Sequence, residues 1–183
     1  MLAIVYNKQT FMGELIFSLL LFKNLNSHCV SGKCSGIYLH EEDLYVNDLN
    51  LIVNHLERLH PYPSITPVSP LDRAVHRNIL QYIVSTVVPM CDQAMVDENV
   101  RSEALAILVE MAEYLCDNLN VVQSSGFFDN RITALDIAVY KLFDFYKALN
   151  IFLSPKSKKL VYHIYKIHQI FKTLNLSSSV IGS

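Results

Sequence analysis

The chain has 183 residues, a length that suits one compact domain or two small lobes and excludes a large multidomain enzyme. Half of the residues are apolar (51%) and 17% are charged, which supports a buried core and excludes a disordered chain. Five glycines, no tryptophan and long leucine- and isoleucine-rich runs favour helices over a barrel or sandwich, and a net charge of −2 excludes nucleic-acid binding by bulk charge.

Residues 2–6 (Leu-Ala-Ile-Val-Tyr) read as a short buried strand. A helical pattern follows over Gly13–Leu25 and ends at an asparagine-rich break. Its apolar block, Leu15–Phe22, falls far short of the roughly 20 apolar residues that cross a bilayer. No small-x-small site follows Phe22, so a signal peptide is not expected, and the chain reads as cytoplasmic. His28–Val30 leaves room for one short strand. The neighbouring His28, Cys29, Cys34 and His40 lack the spacing of a standard zinc site, so no metal is expected. With Cys91 and Cys116 they complete four cysteines, too few for a disulfide scaffold; Cys116 reads as a small buried hydrophobe.

Gly36–His40 and Leu44–Val46, split by Glu41-Glu42-Asp43, read as a hairpin. Leu49, Ile52, Val53, Leu56 and Leu59 then recur at helical spacing. Proline stops that helix at His60. Four of the six prolines fall between Pro61 and Pro70, which predicts a stiff extended linker over 61–71. Helical patterns over 72–95, 98–118, 134–149 and 156–174 fill the rest. The expected organisation is a lobe at 1–60, the linker, and an all-helical lobe at 72–183.

Thr133-Ala134-Leu135-Asp136 is a capping box, flanked by Ile132 and Ile137 as a hydrophobic staple. Its role is structural, without catalysis at Asp136. Charge is uneven along the chain: residues 1–144 hold nine Lys or Arg against seventeen acids, and the last 39 hold six lysines and no acid. This basic end is either a solvated helix face or a surface for an acidic or phosphate-bearing partner.

The order of a small α/β lobe, a proline-bearing linker and a helical lobe with a buried Thr-x-x-Asp box resembles the glutathione transferase fold. The resemblance implies a two-lobe α+β, glutathione-transferase-like architecture with a truncated thioredoxin-like N-terminal lobe and an all-helical C-terminal lobe. The parts of the family's glutathione site are mostly missing. After the first strand the only hydroxyl is Thr10, which reads as a helix cap. No proline precedes Pro61, so the family's cis-proline is absent. The Glu/Gln-Ser pair that holds the γ-glutamyl carboxylate corresponds to Asp48-Leu49, and leucine cannot donate a hydrogen bond. No catalytic residue is therefore expected.

His60-Pro61-Tyr62-Pro63-Ser64-Ile65-Thr66-Pro67-Val68-Ser69-Pro70-Leu71-Asp72-Arg73 resembles the Pro-aromatic-Pro…Pro-Val-x-Pro-x-x-Arg segment of the stringent starvation protein A family, which includes the macrophage growth locus protein A branch. With the flanking helices, the match spans about a third of the chain. The resemblance implies a non-enzymatic, dimeric regulator of transcription that associates with RNA polymerase holoenzyme or sigma factor. Its partner-binding surface would comprise Pro61, Tyr62, Pro63, Pro67 and Arg73. Dimerisation, with itself or a homologue, would draw on Asn50, Asn54, His55, Arg58, His76, Arg77, Leu80, Val84 and Val87. For Arg73 an ion pair with Asp72 or Glu57 is the local alternative. No cofactor is expected. One branch of the family binds guanosine tetraphosphate at a dimer interface, for which Arg58, Arg73, Arg77 and the C-terminal lysines are the candidate donors. Neither direct DNA reading nor membrane insertion is expected. The alternatives are a divergent glutathione-dependent transferase, and a scaffold or effector for other partners.

Overall fold

The structure is a computed structural model that describes residues 10–25, 37–39, 44–119, 126–149 and 155–180. The strands expected at 2–6 and 28–30, and the His28, Cys29, Cys34 and His40 cluster, lie outside these residues. The chain divides into two compact units, Met1–Thr66 with Gln169–Ser183, and Pro67–His168. The helical lobe expected over 72–183 is thus a unit that ends at His168, and the last turns of the final helix group with the N-terminal residues.

In the first unit, helix α1 (Phe11–Phe22) starts at Thr10, whose side chain accepts a hydrogen bond from the Gly13 N–H. Its end is set by Asn24, which takes a left-handed φ of 54°. The Asn24 N–H then reaches the Leu21 carbonyl and the Leu25 N–H the Leu20 carbonyl, the double closure of a Schellman motif. Asparagine tolerates that backbone, so the helix stops three residues earlier than its apolar pattern predicts. Leu15, Ile16, Leu19 and Leu20 are fully buried, and each contributes about 1.5–3 kcal/mol of hydrophobic stabilisation.

Strands β1 (Ile37–Leu39) and β2 (Leu44–Val46) pair antiparallel with Tyr38 opposite Tyr45, as the hairpin reading predicts. Helix α2 (Leu49–Leu59) matches its expected bounds. The Asp48 carboxylate caps it by accepting from the Leu51 N–H at 2.9 Å, and Leu49, Ile52, Val53 and Leu56 face inward.

The second unit opens with α3 (Pro70–Tyr82), capped by Ser69 with proline at its first position. A π-helical stretch, Ile83–Val87, joins it to α4 (Val88–Ala94) without a break. Pro89 explains the widening. It has no N–H to give and its ring crowds the preceding turn, whereas the wider turn, with Val88 N–H bonded to Ile83 O, relieves both. Helix α5 (Glu98–Asn118) is capped by Asp97. Helix α6 (Ala134–Ala148) starts at the expected capping box, and a 3-10 turn (Pro155–Ser157) leads into α7 (Lys158–Val180). None of the described helices is long and apolar enough to cross a membrane.

Candidate functional site: a buried clamp beneath the Pro-Tyr-Pro turn

Lys23 and Glu57 each continue an apolar stripe, at the end of α1 and late in α2. A charge in that position must find a partner. Lys23 has no exposed side-chain surface, and its ammonium lies 2.8 Å from Glu57 Oε1. The same Nζ donates to the carbonyls of His60 (2.5 Å) and Pro63 (2.8 Å). Lys23 therefore binds both ends of the turn that carries Pro61, Tyr62 and Pro63.

Glu57 holds the strand that leaves the turn. Its Oε1 accepts from the Ile65 N–H at 2.8 Å, and its Oε2 accepts from the hydroxyls of Ser64 (2.7 Å) and Thr66 (3.2 Å). Burial alone would push its carboxyl up, but Lys23, the Ile65 N–H and Ser64 outweigh that and hold it below the usual carboxylate range. Ile65 is fully buried, which pins the segment from the apolar side.

On this footing the turn presents its ring to solvent. Tyr62 is 86% exposed, the Tyr62–Pro63 peptide bond is cis, and Pro61 and Pro63 are exposed beside it. A phenol ring between two prolines, on a turn whose flanking carbonyls are fixed by an ammonium, has little entropy to lose on being covered.

The rest of the expected contact surface is only partly there. Pro67 is buried, so it anchors the segment instead of lining a surface. Arg73 is exposed, and among the described residues it makes no ion pair; Glu57, its suggested partner, is taken by Lys23. Of the expected dimer residues, Asn54, Arg58 and Arg77 are exposed, and Asn50, His55 and Val84 are half-buried. Arg58 Nη2 lies 3.3 Å from His55 Nδ1. His76, Leu80 and Val87 are buried. The reason is helical phase: His76, Leu80 and Val87 turn toward the same side as the buried Ile79 and Ile83, so these three of the nine expected residues belong to the core.

The second unit holds the other concentration of polar chemistry, at the start of α6. Asp136 Oδ2 accepts from the Thr133 N–H (2.8 Å) and hydroxyl (2.6 Å). Its Oδ1 accepts from the Phe127 N–H at 2.8 Å and faces His163 Nε2 of α7 at 2.7 Å. The Leu135 N–H donates to His76 Nε2 at 3.2 Å, so a histidine of α3 serves as a further cap of α6. The expected staple residues Ile132 and Ile137 are both buried. The adjoining loop turns tightly through Asp129 and Asn130, both at positive φ, and closes by a Phe128–Arg131 bridge. It passes so close to Gly126 that a Cβ there would stand 1.7 Å from the Arg131 carbonyl oxygen.

A carboxylate, an imidazole and a hydroxyl in contact invite comparison with a catalytic triad, but the order is wrong. The hydroxyl and the imidazole both bond the carboxylate, so no base faces the hydroxyl. Thr133, Asp136 and His163 are also inaccessible. This cluster ties elements together.

The Cys91 thiol is inert by the same criterion. Burial, with Asp92 adding, pushes the Cys91 thiol up to about 12, far from a reactive thiolate. Cys116, expected to be buried, is half-buried. Thr10, the only first-lobe hydroxyl expected near a thiol-activating position, serves as the cap of α1. Among the described residues no cluster of His, Cys, Asp and Glu could hold a metal.

Sequence reasoning missed Lys23, Glu57 and His163 as structural ligands. The signal was present: each interrupts an apolar stripe. Their partners are 34 and 27 residues away, a pairing that periodicity does not specify.

No family model matches the chain, and no curated protein matches it. Solved structures do resemble it. A glutathione transferase from Methylococcus capsulatus superposes with a TM-score of 0.73 at 16% identity, over 96% of this chain and 100% of its own. A glutathione S-transferase from Rhodospirillum rubrum reaches 0.74 at 11% identity, over 90% and 86%. A maleylacetoacetate isomerase from Anaeromyxobacter dehalogenans reaches 0.73 at 15% identity, over 92% and 84%. The chain has the glutathione-transferase-like fold.

Proposed function

We propose that this chain is a non-enzymatic regulator of transcription, a glutathione-transferase-like scaffold that associates with RNA polymerase holoenzyme or its sigma factor. The partner would be met at the Pro61–Tyr62–Pro63 turn. The observation that carries the reading is the 86% exposure of Tyr62 on a turn fixed from beneath by Lys23 and Glu57. Fixing a turn this firmly around an unburied ring makes chemical sense if the ring is to be covered by something else. The choice of partner rests on the resemblance of residues 60–73 to the stringent starvation protein A segment. Pairing with a second copy or a homologue would use the exposed Asn54 and Arg58 in one unit and Arg77 in the other. The reading requires no cofactor and places the protein in the cytoplasm.

The test is sedimentation of the full chain with purified RNA polymerase holoenzyme, with a homologous partner supplied, beside a glutathione conjugation assay. Co-sedimentation without conjugation above background is the expected result. Absence of co-sedimentation overturns the reading, as does glutathione turnover that disappears in Thr10→Ala.

A further inference from the structure

Two exposed helix faces of the second unit carry opposite charge. On α5, Glu103, Ala106, Glu110, Glu113, Tyr114 and Asp117 recur every three or four residues and form one stripe that is exposed to half-buried. The only basic residue of α5 is Arg101, which lies off the stripe and pairs with Glu98 at 3.1 Å. On α7, Lys158, Lys159, Tyr162, Tyr165 and Lys166 share the outward side, opposite the buried Leu160, His163, Ile164 and Ile167. Tyr162 and Tyr165 are 60% and 58% exposed, and the Lys166 ammonium stands 4.8 Å from the Tyr162 ring centre. No acidic residue follows Asp144 in the chain, so α7 offers no internal partner to its lysines. Asp144, on α6, is engaged by Lys147 at 3.4 Å.

We infer that the α7 face of one copy docks on the α5 stripe of a second copy. The lengths agree: at 1.5 Å per residue, Glu103 to Glu113 spans about 15 Å and Lys158 to Lys166 about 12 Å. Ala106 leaves room in the acidic stripe for a tyrosine ring, and Tyr162 and Tyr165 supply the apolar contact that bare ion pairs lack. The contact is heterologous, because the two faces differ; it therefore links copies head to tail, apart from any two-fold pairing. One helix face on another is smaller than a stable dimer interface, so the association is weak and salt-sensitive.

The inference is independent of the polymerase reading and is tested with the full chain alone. Sedimentation mass is followed against concentration in about 50 mM and about 500 mM salt, where screening differs several-fold. The expected result is growth beyond the high-salt species at low salt only, with an association constant at least about tenfold larger. Lys158→Glu/Lys159→Glu/Lys166→Glu and Glu103→Lys/Glu110→Lys/Glu113→Lys should each stay at the high-salt mass, with unchanged circular dichroism. Mixed in equal amounts they should associate again, because the reversed α7 of one meets the reversed α5 of the other. The inference fails if association ignores salt, if either triple variant associates like the wild type, or if the mixture does not recover. It also fails if an oligothymidylate or an acidic peptide binds α7 while the copies stay apart, which assigns the face to another anion.

Discussion

Two carboxylates organise this molecule, and they do opposite things with nearly the same bonds. Glu57 and Asp136 each accept from one or two backbone N–H groups, one or two hydroxyls, and a basic side chain from another part of the chain. Around Asp136 everything is sealed: the carboxylate, His163 and Thr133 are inaccessible, and the result is a fixed junction of α6, α7 and the 126–133 loop. Around Glu57 the seal is one-sided. Lys23 is covered, yet the turn it grips carries an aromatic ring into solvent. The two constellations therefore differ in what they leave exposed: no reactive group around Asp136, and the Tyr62 ring beside Glu57.

Substitutions can break that comparison in order of cost. Asp136→Ala is expected to be worst, at about 4 kcal/mol, because it strands the donors of Phe127, Thr133 and His163 in a dry interior; urea unfolding measures it. Lys23→Met should cost about 2–3 kcal/mol, less because Glu57 keeps some contact with water and its other donors. It should also loosen the turn, seen as faster amide exchange at Tyr62 and Ser64 while Leu135 and Asp136 are unchanged.

Glu57 also responds to pH. Glu57 is held below its unfolded value of about 4.3. Its contribution is therefore present above that pH and lost as pH falls through the folded value. Glu57→Gln should flatten the acid limb of the stability curve below about pH 4.3, as the wild type loses this contribution while pH falls through the folded value. An unchanged acid limb would show that Glu57 is not clamped. Tyr62→Ala is the mildest change for folding, within about 0.5 kcal/mol, since the ring is solvated.

Much of this was readable along the chain. The helix from Leu49 to Leu59, the Tyr38–Tyr45 hairpin and the Thr133–Asp136 box follow from local rules of period and capping, and the structure has each. Local rules were weaker where phase or a single backbone angle decides. Asn24 at positive φ ends α1 early, and the helical pattern over 72–95 gives no sign of the π turn before Pro89. The exposed Tyr62 turn was legible as a motif, but its support was not. Neither Lys23 nor Glu57 says in sequence which distant charge it will meet, and His76 reads equally well as an interface residue until Leu135 is seen donating to it.

The affinity of RNA polymerase holoenzyme for the wild-type chain, Tyr62→Ala and Tyr82→Ala, read by biolayer interferometry beside each protein's urea midpoint, tests the central claim most directly. Tyr82 serves as a second exposed tyrosine outside the turn. A loss of at least about tenfold for Tyr62→Ala alone, with all three midpoints equal, is the predicted result. Equal affinity for all three proteins, or none for the wild type, would contradict it.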